Sequence, residues 1–190
     1  VIELVGSITI NAAGTTAGGG TSLIRSIWNG ANVELTGVNL ARVAGGTVQF
    51  VAEGADLGGA ANRVRFTGTM ANISGTRTLN WATLDQVTTP GLEFVTHDDT
   101  TDDILTGAFV TSLAAAILGT ENVKLSADEA LAAPTTINAL MITGSGVDLT
   151  GAGQLLTVTG GLVITEGTGH IIASNLGFGA AEGLFFVEAA

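Results

Sequence analysis

The chain has 190 residues, of which 46% are hydrophobic, and it carries 6 Lys and Arg against 17 Asp and Glu, a net charge of −11 at pH 7. This acidity gives the surface the wrong sign for a phosphate backbone and argues strongly against nucleic-acid binding. The apolar content excludes intrinsic disorder, since disordered chains are poor in apolar residues. No run approaches the ~18–20 apolar residues of a membrane span. The absence of Cys excludes disulfides and thiolate zinc sites.

Apolar and polar residues alternate along much of the chain, and this period of two indicates strands with one buried face. Residues 47–52 alternate in this way, Arg63 and Arg65 flank Val64 and should face outward, and residues 122–128 repeat the scheme. Further short apolar runs lie at residues 7–10, 23–28, 33–35, 40–43, 79–81, 138–142, 147–149, 155–158, 162–164, 170–173, 176–178 and 184–187. Because Gly, Asn, Thr or Ser separates these runs, the sequence predicts an all-β fold.

The spacing of the strands in the C-terminal half favours a solenoid. Val123, Val147 and Ile171 recur about every 24 residues, and Ile137 and Leu162 are about 25 apart. A recurrence of this length is typical of a solenoid in which each coil pairs with the next and only stacking buries the inner face. We therefore predict a parallel β-helix with about 20–25 residues per coil.

A β-sandwich is the alternative fold, because it also uses short strands separated by turns. Hairpin signals are few, however. Asn29-Gly30 is the single Asn-Gly pair, and Asp-Gly does not occur. Several turns carry Gly-x-Gly instead, as in residues 144–146 and 151–153. This pattern favours the solenoid over the sandwich.

One segment departs from the strand pattern, and it divides the chain into three predicted parts. Residues 1–79 and 121–190 are predicted to form solenoid coils, and residues 80–120 an inserted acidic loop with a short helix. The helix should start near Thr106 and end with Gly119 just beyond its last turn. Its buried stripe is predicted to contain Phe109, Leu113 and Ile117.

Two stretches resemble the autotransporter-associated β-strand repeats of large secreted bacterial surface proteins. The first joins residues 45–50 (GGTVQF) to residues 62–67 (NRVRFT), and the second runs through residues 120–125, 135–140 and 177–183. This resemblance covers roughly half of the chain. It implies a right-handed parallel β-helix, export to the cell surface or medium, and a structural or adhesive role with no known active site.

The acidic cluster is the best candidate for a binding site. It consists of Asp98, Asp99, Asp102 and Asp103, and clustered carboxylates with backbone carbonyls can supply the six to eight oxygen ligands that Ca²⁺ takes. The cluster lacks the ordered spacing of a dedicated calcium loop. A solvated acidic loop is therefore the alternative interpretation.

Catalysis has weaker candidates in the sequence. His97, beside the four aspartates, can act as a base, but the sequence offers no positioned nucleophile and no nucleophile-elbow motif. Paired carboxylates also hydrolyse glycosides, which makes a polysaccharide-active β-helix enzyme one alternative function. Few Lys and Arg accompany the acidic cluster, so we expect no enzyme here.

The sequence therefore predicts a non-enzymatic structural protein of the bacterial cell surface or extracellular matrix, a segment of secreted β-solenoid that assembles into fibres. Its expected partners are other copies of itself or adjacent segments of a longer chain, with surface polysaccharide as a further candidate. A calcium-dependent adhesin or carbohydrate-binding module is the other alternative. The residues expected to mediate assembly lie in the apolar strands near the two ends: Val1, Ile2, Leu4, Phe185, Phe186 and Val187.

Overall fold

The computed structural model describes residues 2–4, 6–10, 21–68, 70, 73–74 and 78–188. The chain separates into two compact units. The N-terminal unit ends at Gly107, and the C-terminal unit begins at Ala108 and also includes Ser74. Within the described ranges, no helix has the length and apolar character needed to cross a membrane. The predicted all-β fold is confirmed, because the only helical element in these ranges is a single 3-10 turn at Leu113–Ala115.

The strands are short in the N-terminal unit and include two long ones in the C-terminal unit. In chain order they are β1 (Ile2–Leu4), β2 (Ile8–Ile10), β3 (Thr21–Ile27), β4 (Val33–Gly37), β5 (Leu40–Arg42), β6 (Thr47–Glu53), β7 (Asn62–Phe66), β8 (Ile73–Ser74), β9 (Thr78–Asp85), β10 (Glu93–His97), β11 (Ile104–Thr106), β12 (Asn122–Leu125), β13 (Glu129–Ala130), β14 (Thr135–Ser145), β15 (Asp148–Thr150), β16 (Leu155–Thr168), β17 (Ile171–Ile172), β18 (Asn175–Gly177) and β19 (Leu184–Glu188).

Successive strands of the N-terminal unit visit three sheets in turn. Strands β1, β4 and β7 form the first sheet, β2 and β5 the second, and β3, β6 and β9 pair in the third. All of these pairs are parallel. A parallel pair needs a crossover connection, and here the crossovers are the strands of the other two sheets.

Apolar side chains in register form the core of the N-terminal unit. Phe50 lies between Ile24 and Leu84 on the neighbouring strands, and Phe50 and Leu84 are fully buried. On β7 the alternate residues Val64 and Phe66 are fully buried. Arg63 and Arg65 alternate with these two residues and point to the opposite face, as the sequence predicts.

The segment 80–120 is not an inserted loop with a helix, and this part of the prediction is wrong. Strand β9 pairs with β6 inside the third sheet, and β10 and β11 extend that sheet in the antiparallel direction. The segment is also divided between the two units at Gly107. The third sheet of the N-terminal unit is therefore mixed rather than purely parallel.

The helix expected from Thr106 to Gly119 does not form because strand pairing takes its backbone groups. The Val110 N–H donates to Asn122 O at 2.8 Å, and its carbonyl accepts from Lys124 N at 2.9 Å. Of the predicted stripe only Leu113 is buried, whereas Ile117 is 82% exposed. Spacing at i and i+4 suits a helix, but tertiary pairing overrides such a weak local preference.

The described strand pairs between β12 and β19 in the C-terminal unit are all parallel. Strands β12, β14, β16, β18 and β19 form one sheet, and β13, β15 and β17 form another. The register of β14 on β16 shifts between Ile137 and Ala139, an irregularity of the β-bulge type, at which a strand bends. The chain thus returns to the same sheets several times in the same order.

The interior of the C-terminal unit contains columns of apolar side chains. Val123, Leu140 and Val163 stand beside one another on β12, β14 and β16, and all three are fully buried. Close stacking also requires glycine: a Cβ on Gly167, whose φ is +104°, would lie 1.7 Å from Gly144 O. A side chain at this position would separate the two turns.

The predicted 24-residue repeat selected the wrong residues. Val123 pairs with Leu140, whereas Val147 lies in the turn before β15. Ile171 pairs with Asp148 in the other sheet. Successive turns differ in length, so one fixed spacing cannot identify equivalent positions. Equivalent positions are identified instead by the order in which strands pair in each sheet.

Two buried asparagines mark the bend of the C-terminal sheet. Asn138 Nδ2 donates to Asn122 Oδ1 at 2.7 Å, and Asn122 Nδ2 donates to Ala108 O at 2.8 Å. The backbone N–H of Asn138 also donates to Glu121 O at 2.8 Å. Both side chains are fully buried, so these bonds replace the water that they lose on folding. They fix which residues stack at this corner.

We expect Leu140→Ala to destabilise the C-terminal unit by about 2–5 kcal/mol, because it opens a cavity in the central apolar column. Ile117→Ala is the matched control, since Ile117 is exposed and its truncation should change the free energy of unfolding by less than about 0.5 kcal/mol. Urea denaturation of the two variants measures both values. If both variants lose the same free energy of unfolding, the apolar column does not stabilise the C-terminal unit.

Candidate functional site

The acidic cluster occupies the loop of a β-hairpin in the N-terminal unit. Strands β10 and β11 pair in the antiparallel direction, and residues 98–103, the acidic loop, connect them. The loop closes through Asp98 N to Asp103 O at 3.0 Å and Asp102 N to Asp98 O at 2.6 Å. Asp102 adopts a left-handed conformation with a φ of 62°, which Asp tolerates better than most residues.

Asp98 stabilises the turn from within. Its carboxylate accepts hydrogen bonds from Thr100 N at 2.8 Å and from Thr101 Oγ1 at 3.1 Å. The Thr100 N–H is the main cause that lowers the pKa of Asp98, and desolvation opposes it. The carboxylate is thus used to hold its own loop.

Asp103 is the buried member of the acidic cluster and contacts two arginines of β7. Arg63 Nη2 donates to Asp103 Oδ2 at 3.2 Å, and Arg65 Nε lies 3.6 Å from Oδ1, within ion-pair range but too far for a hydrogen bond. Arg65 also contacts Glu34 at 3.2 Å and Asp102 at 3.8 Å. Only 2% of the Asp103 side chain is exposed, so these ion contacts compensate for its lost hydration.

Hydrogen bonds to backbone carbonyls of the acidic loop attach it to strand β7. Phe66 N donates to Asp102 O at 2.9 Å, and Arg65 Nε donates to Thr101 O at 3.0 Å. These bonds lie along the side of β7 that does not pair with β4. The loop therefore covers a strand edge that would otherwise expose unpaired groups.

His97 attaches the base of the hairpin to the same strand. Its Nε2 lies 2.9 Å from Phe66 O, and its Nδ1 lies 3.1 Å from an Asp99 carboxylate oxygen. The ring is 3% exposed. Both nitrogens are engaged within the fold, so His97 has a structural place in the hairpin.

The four aspartates do not converge on one point. Asp98 binds its own turn, Asp99 contacts His97, and Asp102 and Asp103 face Arg65. Across the described residues, no group of three or more His, Asp or Glu side chains is placed to hold a metal ion. The calcium site proposed from the sequence has no preassembled ligand set here, and calcium binding stays a prediction.

The residues expected to mediate assembly fall into three groups. Val1 lies outside the described residues. Ile2 and Leu4, 70% and 78% exposed, stand beside Glu34 and Thr36 on the outward face of the first sheet. They therefore point away from the interior of the unit.

The three residues of β19 divide between two faces. Phe185 lies beside the buried Val163, so it points toward the interior, yet it is 56% exposed. Val187 shares this face and is 76% exposed. Phe186 points the other way, beside Ile164. An inward position with high exposure indicates an interior that is open at this end.

Sequence reasoning did not identify the partners of the acidic loop. Arg63 and Arg65 come from a strand far earlier in the chain, and Arg65 also contacts Glu34. The available signal was the Arg-x-Arg alternation on a strand, which places two cations on one outward face. No family model, curated protein or solved structure matches the chain.

We expect Asp103→Asn to destabilise the N-terminal unit by about 1.5–3 kcal/mol, the usual contribution of a hydrogen bond to a charged group. Asp99→Asn is the matched control in the same loop, because Asp99 is half exposed and an amide oxygen can still face His97. Chemical denaturation compares the two. If both variants lose equal stability, Asp103 does not anchor the loop.

The lowered pKa of Asp98 predicts the sign of a pH effect. A carboxyl group whose pKa is lower in the folded state adds stability above its unfolded pKa and loses it as the pH falls through the folded value. The melting-temperature difference between wild type and Asp98→Asn should therefore shrink as the pH drops below about 4. Thermal unfolding monitored by circular dichroism across this range tests it, and a constant difference contradicts it.

Proposed function

We propose that this chain is a structural, non-enzymatic segment of a parallel β-solenoid that assembles by coil-on-coil stacking. Two features support the solenoid. Successive strands of each unit return to the same sheets in a fixed order, and the ladders between turns are parallel. An antiparallel sandwich has neither feature. Crossovers between parallel strands are right-handed in about 98% of cases, which favours a right-handed coil.

The observation that carries the proposal is the open end of the C-terminal unit. Strands β17, β18 and β19 each pair on one side only among the described residues. Phe185 and Val187 face the interior there but remain exposed. A further coil would pair the free strand edges and cover these side chains.

A structural role also fits the use of the carboxylates. Glu121 accepts hydrogen bonds from Leu118 N and Thr120 N, both at 3.0 Å. Asp128 accepts from Asp148 N, and Asp148 in turn accepts from Ile171 N, each at 2.9 Å. The acidic groups of the turns thus satisfy backbone donors of the same or the next turn.

The place of this role is the bacterial cell surface or extracellular matrix, as the resemblance to secreted repeat proteins implies. The chain contains no Cys, so its stability does not depend on the redox state of its surroundings. Its net charge of −11 keeps single copies soluble before assembly.

Electron microscopy of the purified chain at increasing concentration tests this proposal. We expect unbranched fibres of uniform width, with a diffraction repeat of about 4.8 Å along the axis from the stacked strands. Fibres should form equally with calcium and with a chelator, because arginine side chains rather than a metal ion neutralise Asp103. Monodisperse particles at every concentration would contradict self-assembly.

Two results would favour the other functions. Assembly or glycan binding that requires calcium would favour the adhesin, and Asp98→Asn should then abolish it. Turnover of an acidic polysaccharide would favour the enzyme. Each assay uses the same purified chain, with Asp128→Asn as a control for the loss of one acidic group elsewhere.

A further inference from the structure

Both ends of the strand ladders are free to pair. The last coil, here called the tail, contains β17, β18 and β19, and the first coil, called the head, contains β1, β2 and β3. Among the described residues, each of these six strands pairs with a neighbour on one side only. A strand with one free side is a template for another strand.

The interior positions of the tail are apolar. Ile172, Leu176 and Phe185 stand in register with residues of the previous coil that are fully buried. The three tail residues themselves are only partly buried or exposed. The tail therefore presents an apolar centre framed by free strand edges.

The head offers a matching interior. Ile8 stands beside the fully buried Leu40, and Ile24 stands beside the fully buried Phe50. Ile8 and Ile24 are half-buried. Stacking a head on a tail would join two apolar interiors and pair strands on several sheets at once, which a single added peptide strand cannot do.

The tail could bind either the head or the tail of another copy, and charge favours the head. The chain has no Lys or Arg after Lys124, and the tail carries Glu182 and Glu188. Two tails face to face would bring like charges together, which disfavours that contact. The head has one Arg and one Glu in its sequence, Arg25 and Glu3, so unlike the tail it has no excess of acidic groups; Arg25 is 52% exposed on β3 and forms an ion pair with Glu53.

We infer that the tail of one copy stacks on the head of a second copy. This inference rests on the proposed self-assembly and adds its direction. Contact between two different surfaces leaves one head and one tail free in every open oligomer, so copies add in one direction, whereas a tail-to-tail contact stops at a dimer.

Variants blocked at one end test the direction. Phe185→Lys combined with Val187→Lys blocks the tail, where both side chains are already more than half exposed. Ile24→Lys blocks the head, because inward-pointing charges and edge lysines prevent strand pairing. If circular dichroism shows that Ile24→Lys is unfolded, a bulky folded protein fused to the N-terminus replaces it.

Analytical ultracentrifugation then gives the assembly state. We expect each blocked variant to remain monomeric alone and their equimolar mixture to form dimers only, because one free tail meets one free head. Ile117→Lys, a control at an exposed apolar position away from the tail strands, should form fibres like the wild type.

Two outcomes would overturn the inference, and they are distinguishable. If the head-blocked variant dimerises by itself, tails bind tails, and self-assembly stands while its direction is wrong. If the wild type stays monomeric at every concentration, both the direction and the proposed self-assembly fail.

Discussion

A parallel strand at the edge of a stack must be paired or covered, and this requirement governs the molecule. In the proposed solenoid each turn contributes a few residues to each sheet, so its apolar face is buried only by the turns beside it. The N-terminal unit meets the requirement at β7 with the acidic loop, whose backbone carbonyls accept hydrogen bonds from Phe66 N and Arg65 Nε. The C-terminal unit leaves β17, β18 and β19 with one free side in the described residues.

Covering an edge with a charged loop has a physical cost, because Asp103 becomes buried. Arg63 and Arg65 offset that cost from the strand that the loop covers, so attachment and charge neutralisation occur at the same place. Arginine suits this position, since its guanidinium offers several donors in a fixed plane. The acidic loop therefore depends on β7 both for its attachment and for the neutralisation of its buried carboxylate.

Much of the fold was predictable because alternation is a local property of the sequence. The outward arginines of β7 and the buried face of β6 follow directly from it. The helix prediction failed because Val110 gives its backbone bonds to β12, a partner that a local pattern cannot show. The role of Asp103 was missed for the same reason, since its arginines come from a distant strand. Unequal turns likewise concealed the pairing of Val123 with Leu140.

The contact between Asn122 and Asn138 has a consequence for how such a chain can lengthen during evolution. In the proposed solenoid these two side chains belong to successive turns, and Asn138 Nδ2 donates to Asn122 Oδ1 beside the register shift of β14 on β16. Inserting a single residue within a strand shifts the later side chains of that strand to the opposite face. Duplicating a whole turn preserves all contacts except those at its two borders, because stability in a stack is summed from neighbours. Genes for such proteins should therefore gain or lose length in complete turns.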